Sequence, residues 1–235
     1  MEQGDDRPAA GRGNGRARSL LPAGLKEVWS EVRAALARRR QAAATARRNA
    51  EAIARLLAGA DCIRLELGAG TNRLDRWTSI DANGACDLCL DLAEPLPFPD
   101  GSVAAIYSSH MLEHFLYPQP MLGLLRECHR VLVPGGWISI AVPDAAIYLR
   151  AYFHPEEFDA ARYCLGITGL SYRSKVDFVN YMAHMAGTHR HLFDQAGLLA
   201  VLEEAGFAEV RAREFDPALD LDWRRYETIY ARGEK

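Results

Sequence analysis

The sequence has no apolar run near the length that crosses a bilayer, few cysteines and a small net charge. A membrane-spanning helix needs ~20 consecutive apolar residues, and the sequence has no apolar run of that length. Cys86 and Cys89 form the one Cys-x-x-Cys pair among five cysteines, without the second pair of a typical zinc motif. The start lacks the apolar stretch of a signal peptide. We therefore expect a cytoplasmic protein with no membrane span and with reduced thiols.

Charge is divided unevenly along the chain, although the net value is only −3. Residues 1–57 carry +6 and residues 58–235 carry −9. The acidic body does not favour nucleic-acid binding, because neutralising phosphates needs a basic surface. Residues 1–20 have few large apolar side chains and predict a disordered basic tail. Residues 21–59 have helical periodicity and predict a helical extension. One alternative is that copies of the chain form a homo-oligomer through this extension.

Residues 60–235 alternate between strand-like and helical patterns. Strands are expected at 62–68, 78–81, 88–91, 103–108 and 137–142, helices at 119–133 and 195–205, a terminal antiparallel pair at 208–215 and 224–231, and an irregular lobe at 144–194. Apolar strands joined by helices are typical of a parallel sheet covered on both faces. The sequence therefore predicts an α/β domain with a doubly wound, mostly parallel sheet of about seven strands.

A glycine turn follows the first strand. Gly68 and Gly70 leave the backbone open at the carboxyl end of a strand, where open α/β sheets bind ligands. Arg73 replaces the third glycine of a dinucleotide-binding turn, and the Gly-Lys-Ser/Thr ending of a P-loop is absent. Glu66 in the strand disfavours a polyanion. Asp81 and Asp91 end the next two strands and suit ribose hydroxyls and an adenine amino group, so the turn predicts a positively charged nucleoside.

Residues 62–143 resemble a class I S-adenosylmethionine-dependent methyltransferase of the type 11-like group, which has a Rossmann-like fold. The segments that carry the resemblance are LELGAG, SIDAN, DLAEPLPFPDGS, IYSSHMLEHF and ECHRVLVPGGWISIAVPD. The resemblance implies S-adenosyl-L-methionine as cofactor. It implies Glu66, Gly68, Ala69 and Gly70 at the methionyl part, Asp81 and Ala82 at the ribose, Asp91 and Leu92 at the adenine, and Ser108, Ser109 and His110 beside the reactive methyl.

The link between the glycine turn and the second strand is short. Residues 71–77 are too few for the helix that the family usually has there. A subgroup of the family with this short link, often predicted to act on sugars or glycans, also resembles the chain in its Ser-x-His-Met-x-Glu-His segment. The subgroup has a late histidine stretch as well, which is similar to residues 188–194 here. The expected acceptor is therefore a saccharide or another hydroxylated small molecule, bound by the lobe at 144–194.

The segment His110-Met-Leu-Glu113-His114 allows three interpretations. It matches the H-x-x-E-H of inverted zinc metalloproteases, but it starts at a strand end and has no long helix, so we exclude protease chemistry. It also resembles, at this one place, the metal-binding segment of small-RNA 2′-O-methyltransferases, with His189 or His191 as the distant ligand. A divalent metal is thus an open alternative. We favour instead the interpretation that Glu113-His114 caps and orients the helix.

Methyl transfer to a hydroxyl requires the removal of one proton, and histidine is suited to accept it. His110 and His189 are the catalytic candidates. The expected function is O-methylation. Transfer to nitrogen or carbon in a natural-product pathway, and a scaffold that binds cofactor without turnover, remain as alternatives.

Overall fold

In a computed structural model, which describes residues 23–59, 62–164 and 173–235, one long helix precedes the sheet. Helix α1 runs over Ala23–Ala58, so the helical extension is a single helix. The tail predicted at 1–20 lies outside the described residues. The chain divides into two compact units between Arg47 and Arg48, and the domain boundary expected at residue 60 stays a prediction. None of the described helices is both long and apolar enough to cross a membrane.

Seven strands form one sheet in the order β3-β2-β1-β4-β5-β7-β6, and only β7 runs antiparallel to its neighbours. The strands are β1 (Ile63–Leu67), β2 (Thr78–Asp81), β3 (Leu88–Cys89), β4 (Val103–Ser109), β5 (Leu132–Pro143), β6 (Ala208–Ala212) and β7 (Thr228–Glu234). This topology confirms the predicted Rossmann-like, mostly parallel α/β sheet.

The described part of the lobe at 144–194 is largely helical, so the prediction of an irregular lobe was wrong. The helices after the first are α2 (Met121–Val131), α3 (Ala145–Phe153), α4 (Ala160–Tyr163), α5 (Val176–His184) and α6 (Gln195–Glu204). Asp144 accepts from Ala146 N and begins α3, and Asp159 begins α4 in the same way. Such short, side-chain-capped helices give little periodicity to recognise. Residues 165–172 of the lobe lie outside the described part.

Strand β5 begins earlier than predicted. Pro134, Gly135 and Gly136 stand between the helix predicted at 119–133 and the strand predicted at 137–142, but they lie inside β5. Gly135 has φ of +77°, and the pairing of β4 with β5 shifts register between Val103 and Ala105. The glycines therefore form an irregularity within a continuous strand.

The register of the parallel strands brings the candidate residues to one edge. Leu67 at the end of β1 lies opposite Ile80 of β2 and Ser108 of β4. The side chains of these three residues are at most 1% exposed and belong to the interior of the sheet. The loops that follow β1, β2 and β4 consequently leave the sheet side by side.

The edge of the sheet at β3 is covered by the last turns of α1. Buried Asn49 donates from Nδ2 to Cys89 O at 2.7 Å and accepts from Cys89 N at 3.3 Å. The amide thus satisfies both backbone groups of an edge-strand residue, which limits pairing with another chain. Nearer its start, α1 exposes four large apolar side chains at helical spacing: Val28, Trp29, Val32 and Leu36. Self-association through this stripe stays a prediction.

A buried ion pair connects the antiparallel end of the sheet to its centre. Arg213 binds Asp220 through both terminal nitrogens, at 2.6 and 2.7 Å. Tyr107 OH donates to the same carboxylate at 2.9 Å, and Arg213 Nε donates to Ser139 Oγ at 2.7 Å. The Asp220 side chain is 2% exposed. Its charge is therefore compensated almost entirely by Arg213.

Replacing Arg213→Met should lower the free energy of unfolding by about 3–5 kcal/mol, because Asp220 would remain as an uncompensated buried charge. The matched control is Arg211→Met, whose ion pair with Glu234 is exposed to solvent and should contribute less than about 1 kcal/mol. Urea denaturation of both variants measures the difference. Equal losses in the two would contradict the assignment.

Candidate active site

The turn after β1 is fixed to β2 by backbone hydrogen bonds. Gly68 N and Ala69 N both donate to Ile80 O, at 2.9 and 3.2 Å. Gly68 has φ of +68° and Gly70 has φ of +57°, in the left-handed region that glycine favours. A Cβ on Gly70 would meet no atom within 4 Å. The backbone at Gly70 is therefore open to a ligand.

Gly68 is in close contact with Met111. A Cβ on Gly68 would lie only 2.3 Å from Met111 Cγ, so no other residue fits without a shift. Met111 directly follows His110. The glycine turn and the histidine segment are therefore packed against each other.

Asp81 organises the same turn from the end of β2. Its Oδ2 accepts from Gly70 N at 2.8 Å, and its Oδ1 accepts from Asn83 N at 2.9 Å. Each carboxylate oxygen can accept a second hydrogen bond, and the side chain is partly exposed. Asp81 can thus bind ligand hydroxyls, although the ribose role itself stays a prediction.

Glu66 is buried and stabilises the short link at 71–77 through hydrogen bonds. Its Oε1 accepts from Asn72 Nδ2 at 3.0 Å and its Oε2 accepts from Leu74 N at 3.3 Å. Burial raises the pKa of Glu66 above the usual value. The carboxyl group thereby holds the helix-free loop at 71–77 in place. Its predicted position near a cofactor amino group is untested.

The other predicted cofactor residues differ in exposure. Asp91 and Ala82 are exposed, and Asp91 Oδ1 accepts from Ala93 N at 2.9 Å. Leu92 and Ala69 are each 7% exposed, and Leu92 belongs to the main core. Asp91 is therefore available to a ligand, while Leu92 presents little surface to an adenine ring.

The end of β4 carries the residues predicted beside the reactive methyl. Ser108 is fully buried, and its Oγ has no hydrogen-bond partner among the described residues. Ser109 is partly exposed. His110 has φ of +51°, an uncommon conformation for a residue with a side chain. Its Nε2 lies 2.8 Å from Thr228 Oγ1, which donates its own proton to Arg224 O at 2.7 Å. His110 Nε2 is therefore the donor, and Nδ1 carries the lone pair.

A cavity of about 330 Å³ contains both catalytic candidates. It is lined by His110, Glu113, His114, Pro143, Tyr181, Met182, Met185, His189, Trp223, Arg224, Tyr226 and Glu227. His191 is absent from this lining; its ring contacts Tyr117 and Phe193. The structure therefore brings His110 and His189 together, although the sequence separates them widely.

Burial shifts the pKa values of Glu113, His110 and His189 toward their uncharged forms. Desolvation raises the pKa of Glu113 to about 8. It also holds the pKa of His110 well below the usual value and lowers that of His189. Both imidazoles are thus neutral near pH 7 and retain a nitrogen that accepts protons.

Two groups of side chains in the described part of the chain have the composition and spacing of a metal site. One consists of Glu113, His114 and His189, whose ligand atoms all lie within 4.8 Å of one another. The other, His154 with two neighbouring glutamates, lies at exposed positions. The first group lies in the cavity wall.

Sequence reasoning missed one wall of the cavity. Trp223, Arg224, Tyr226 and Glu227 come from a 3-10 helix at Asp222–Glu227, which was predicted to be partly a strand. Thr228, the hydrogen-bond partner of His110, begins β7. No local motif marks these residues, because only the antiparallel return of β7 beside β5 brings them to the site.

Residues 43–140 match a family described as a methyltransferase domain. No curated protein matches the chain. Among solved structures, the chain is similar to an S-adenosylmethionine-dependent methyltransferase from Archaeoglobus fulgidus, with 16% identity, a TM-score of 0.47 and coverage of 74% of this chain and 86% of that one. It is also similar to a possible histamine N-methyltransferase from Thermotoga maritima, with 16% identity, a TM-score of 0.44 and coverage of 85% and 96%.

The family match covers β1 to β4, most of β5, the glycine turn and the histidine segment. Motifs and family match agree on methyl transfer as the class of chemistry. The chain is an enzyme that carries a methyltransferase domain.

Proposed function

We propose that this methyltransferase acts on a hydroxyl oxygen of a saccharide or a similar hydroxylated small molecule. The observation that carries the proposal is the cavity that begins at His110. His110 follows β4 directly, and its neighbour Met111 packs against the glycine turn. A proton acceptor and the candidate cofactor turn are thus neighbours in space.

The residues at the sheet edge fit the cofactor. Gly68 and Gly70 offer open backbone, Asp81 and Asp91 offer carboxylates, and the buried Ser108 Oγ lacks a partner among the described residues. We assign the methionyl part to the glycine turn, the ribose to Asp81 and the adenine amino group to Asp91. Bound S-adenosylmethionine supplies an electrophilic methyl group, whose transfer leaves S-adenosylhomocysteine.

His110 accepts the proton that the acceptor hydroxyl loses. The hydrogen bond to Thr228 fixes its ring and leaves Nδ1 as the proton-accepting atom. His189 faces the same cavity and is the second candidate. The other residues that line the cavity align the acceptor oxygen and exclude water.

The size and lining of the cavity support a sugar-sized acceptor. A volume of about 330 Å³ lies at the lower end of the ~300–1,000 Å³ of small-molecule sites. Tyr181, Trp223 and Tyr226 supply flat aromatic faces to the lining, and such faces pack against sugar rings while their polar atoms bind hydroxyls.

An acceptor screen scored by release of S-adenosylhomocysteine tests the proposed function. Monosaccharides, glycosides and small polyols are compared with primary amines and with carbon nucleophiles at equal concentrations. We expect release with the hydroxylated set. Release confined to amines or carbon nucleophiles would assign the enzyme to those acceptors instead, and release with none of the sets would contradict the proposal.

Replacing His110→Asn should lower kcat by roughly 10²-fold or more, the usual contribution of a general base. Asparagine tolerates positive φ and can still donate to Thr228, but its amide does not accept the proton. The dissociation constant for S-adenosylhomocysteine should not change. The control is His154→Asn, at an exposed position outside the cavity. A kcat within twofold of wild type would remove His110 from the mechanism.

Replacing Asp81→Asn should weaken binding of S-adenosylhomocysteine by about 10- to 100-fold, because hydrogen bonds to a charged group contribute ~1.5–3 kcal/mol. Isothermal titration calorimetry measures the constant. Asp75→Asn is the control, since the Asp75 side chain is 98% exposed. An unchanged affinity in a folded Asp81→Asn variant would show that the ribose is bound elsewhere.

A further inference from the structure

We propose that Glu113, His114 and His189 bind one divalent transition-metal ion in the wall of the acceptor cavity. The proposed role of the ion rests on the proposed function, because a bound cation would hold and polarise the acceptor hydroxyl. The site itself stands on the geometry of the three side chains.

The three residues are held together by the backbone. Glu113 and His114 belong to the 3-10 helix at Leu112–His114, directly after β4. Glu113 O accepts from both Arg190 N, at 2.8 Å, and His191 N, at 3.1 Å. These bonds fix the segment around His189 against the histidine segment after β4. The ligands are therefore positioned without help from an ion.

Both imidazoles are oriented to present Nε2. His114 Nδ1 lies 3.0 Å from Thr188 O, and His189 Nδ1 lies 2.7 Å from Met182 O. A carbonyl oxygen only accepts hydrogen bonds, so each Nδ1 carries the proton and each neutral ring has its lone pair on Nε2. Metal-binding histidines usually donate their other ring proton in this way.

Glu113 supplies the anionic ligand, because binding of the ion would displace its proton to solvent. Its side chain is 3% exposed, and its Oε2 has no hydrogen-bond partner in the described part of the chain. Its Oε1 lies 4.0 Å from His189 Nε2 and 3.9 Å from His110 Nδ1, too far for hydrogen bonds. A buried carboxyl oxygen without a partner is unfavourable. A cation placed among these three groups removes that cost.

The spacing and ligand types indicate the kind of ion. Nitrogen and carboxylate ligands bind zinc at ~2.0–2.2 Å, which requires ligand atoms about 3–4 Å apart. The atoms here lie within 4.8 Å of one another, so small side-chain rotations suffice. Two imidazoles with one carboxylate suit Zn²⁺, Mn²⁺, Fe²⁺ or Co²⁺ better than Mg²⁺ or Ca²⁺. Three ligands leave positions for a hydroxyl from the cavity.

The neighbouring charges allow a cation there. Arg224 and Glu227 also line the cavity, and their opposite charges stabilise each other, which is reflected in their mutual effects on pKa. Arg224 lowers the pKa of Glu113 and Glu227 raises it, so the two neighbouring charges act on the proposed site with opposite signs. Bound to them, the ion would lower the pKa of an acceptor hydroxyl, whose proton passes to His110.

Metal content is the direct test. The full chain is stripped with a chelator, dialysed and reloaded separately with Zn²⁺, Mn²⁺ or Co²⁺. We expect about one ion per chain by elemental analysis, and visible absorption from bound Co²⁺. His114→Gln is the informative variant because His114 is exposed, so its replacement should not unfold the chain. Its affinity, and that of His189→Gln, should fall by more than tenfold.

The matched control is His154→Gln in the exposed group, which should retain full metal binding. No ion above the level of a buffer blank would overturn the site, as would equal binding by wild type and His114→Gln. These readouts do not require methyl transfer. Bound metal with activity only on amines would refute the proposed function and leave the site standing. Full activity on hydroxyls without bound metal would refute the metal site and leave the proposed function standing.

Discussion

The contact between Gly68 and Met111 is the constraint on which the arrangement of the site depends. The parallel register sets the end of β1 opposite the end of β4, and the missing side chain at Gly68 lets Met111 fill the space between the two loops. A Cβ there would push the segment around His110 away from the turn. The cofactor half and the acceptor half of the site are therefore one packed unit.

The sequence was most informative where a single local pattern decides the structure. The strands at 63–67 and 78–81, the glycine turn and the helix-free link at 71–77 each follow from apolar runs or glycines within a few residues. The cavity could not be predicted in the same way. Its wall combines the segment after β4, α5 and the 3-10 helix before β7, and its histidine tautomers depend on the carbonyl oxygens of Thr188 and Met182.

The short link illustrates how local and distant constraints combine. A full helix between β1 and β2 would cover this part of the sheet, but residues 71–77 form only turns. The buried carboxyl group of Glu66 bonds to Asn72 and Leu74 and replaces the packing that a helix would give. Glu66 is therefore explained by the loop that it supports, whichever part of the ligand lies nearby.

The electrostatics of the cavity bear on the choice between hydroxyl and amine acceptors. Glu113 is the buried acid nearest to both catalytic candidates, and its raised pKa leaves it mostly neutral near pH 7. A protonated amine would thus enter a cavity whose lining holds Arg224 as well as Glu227, and the cation of Arg224 would repel it. With a metal ion on Glu113 the site would be cationic and would repel the amine further. A neutral hydroxyl meets no such repulsion, which supports the proposed transfer to oxygen.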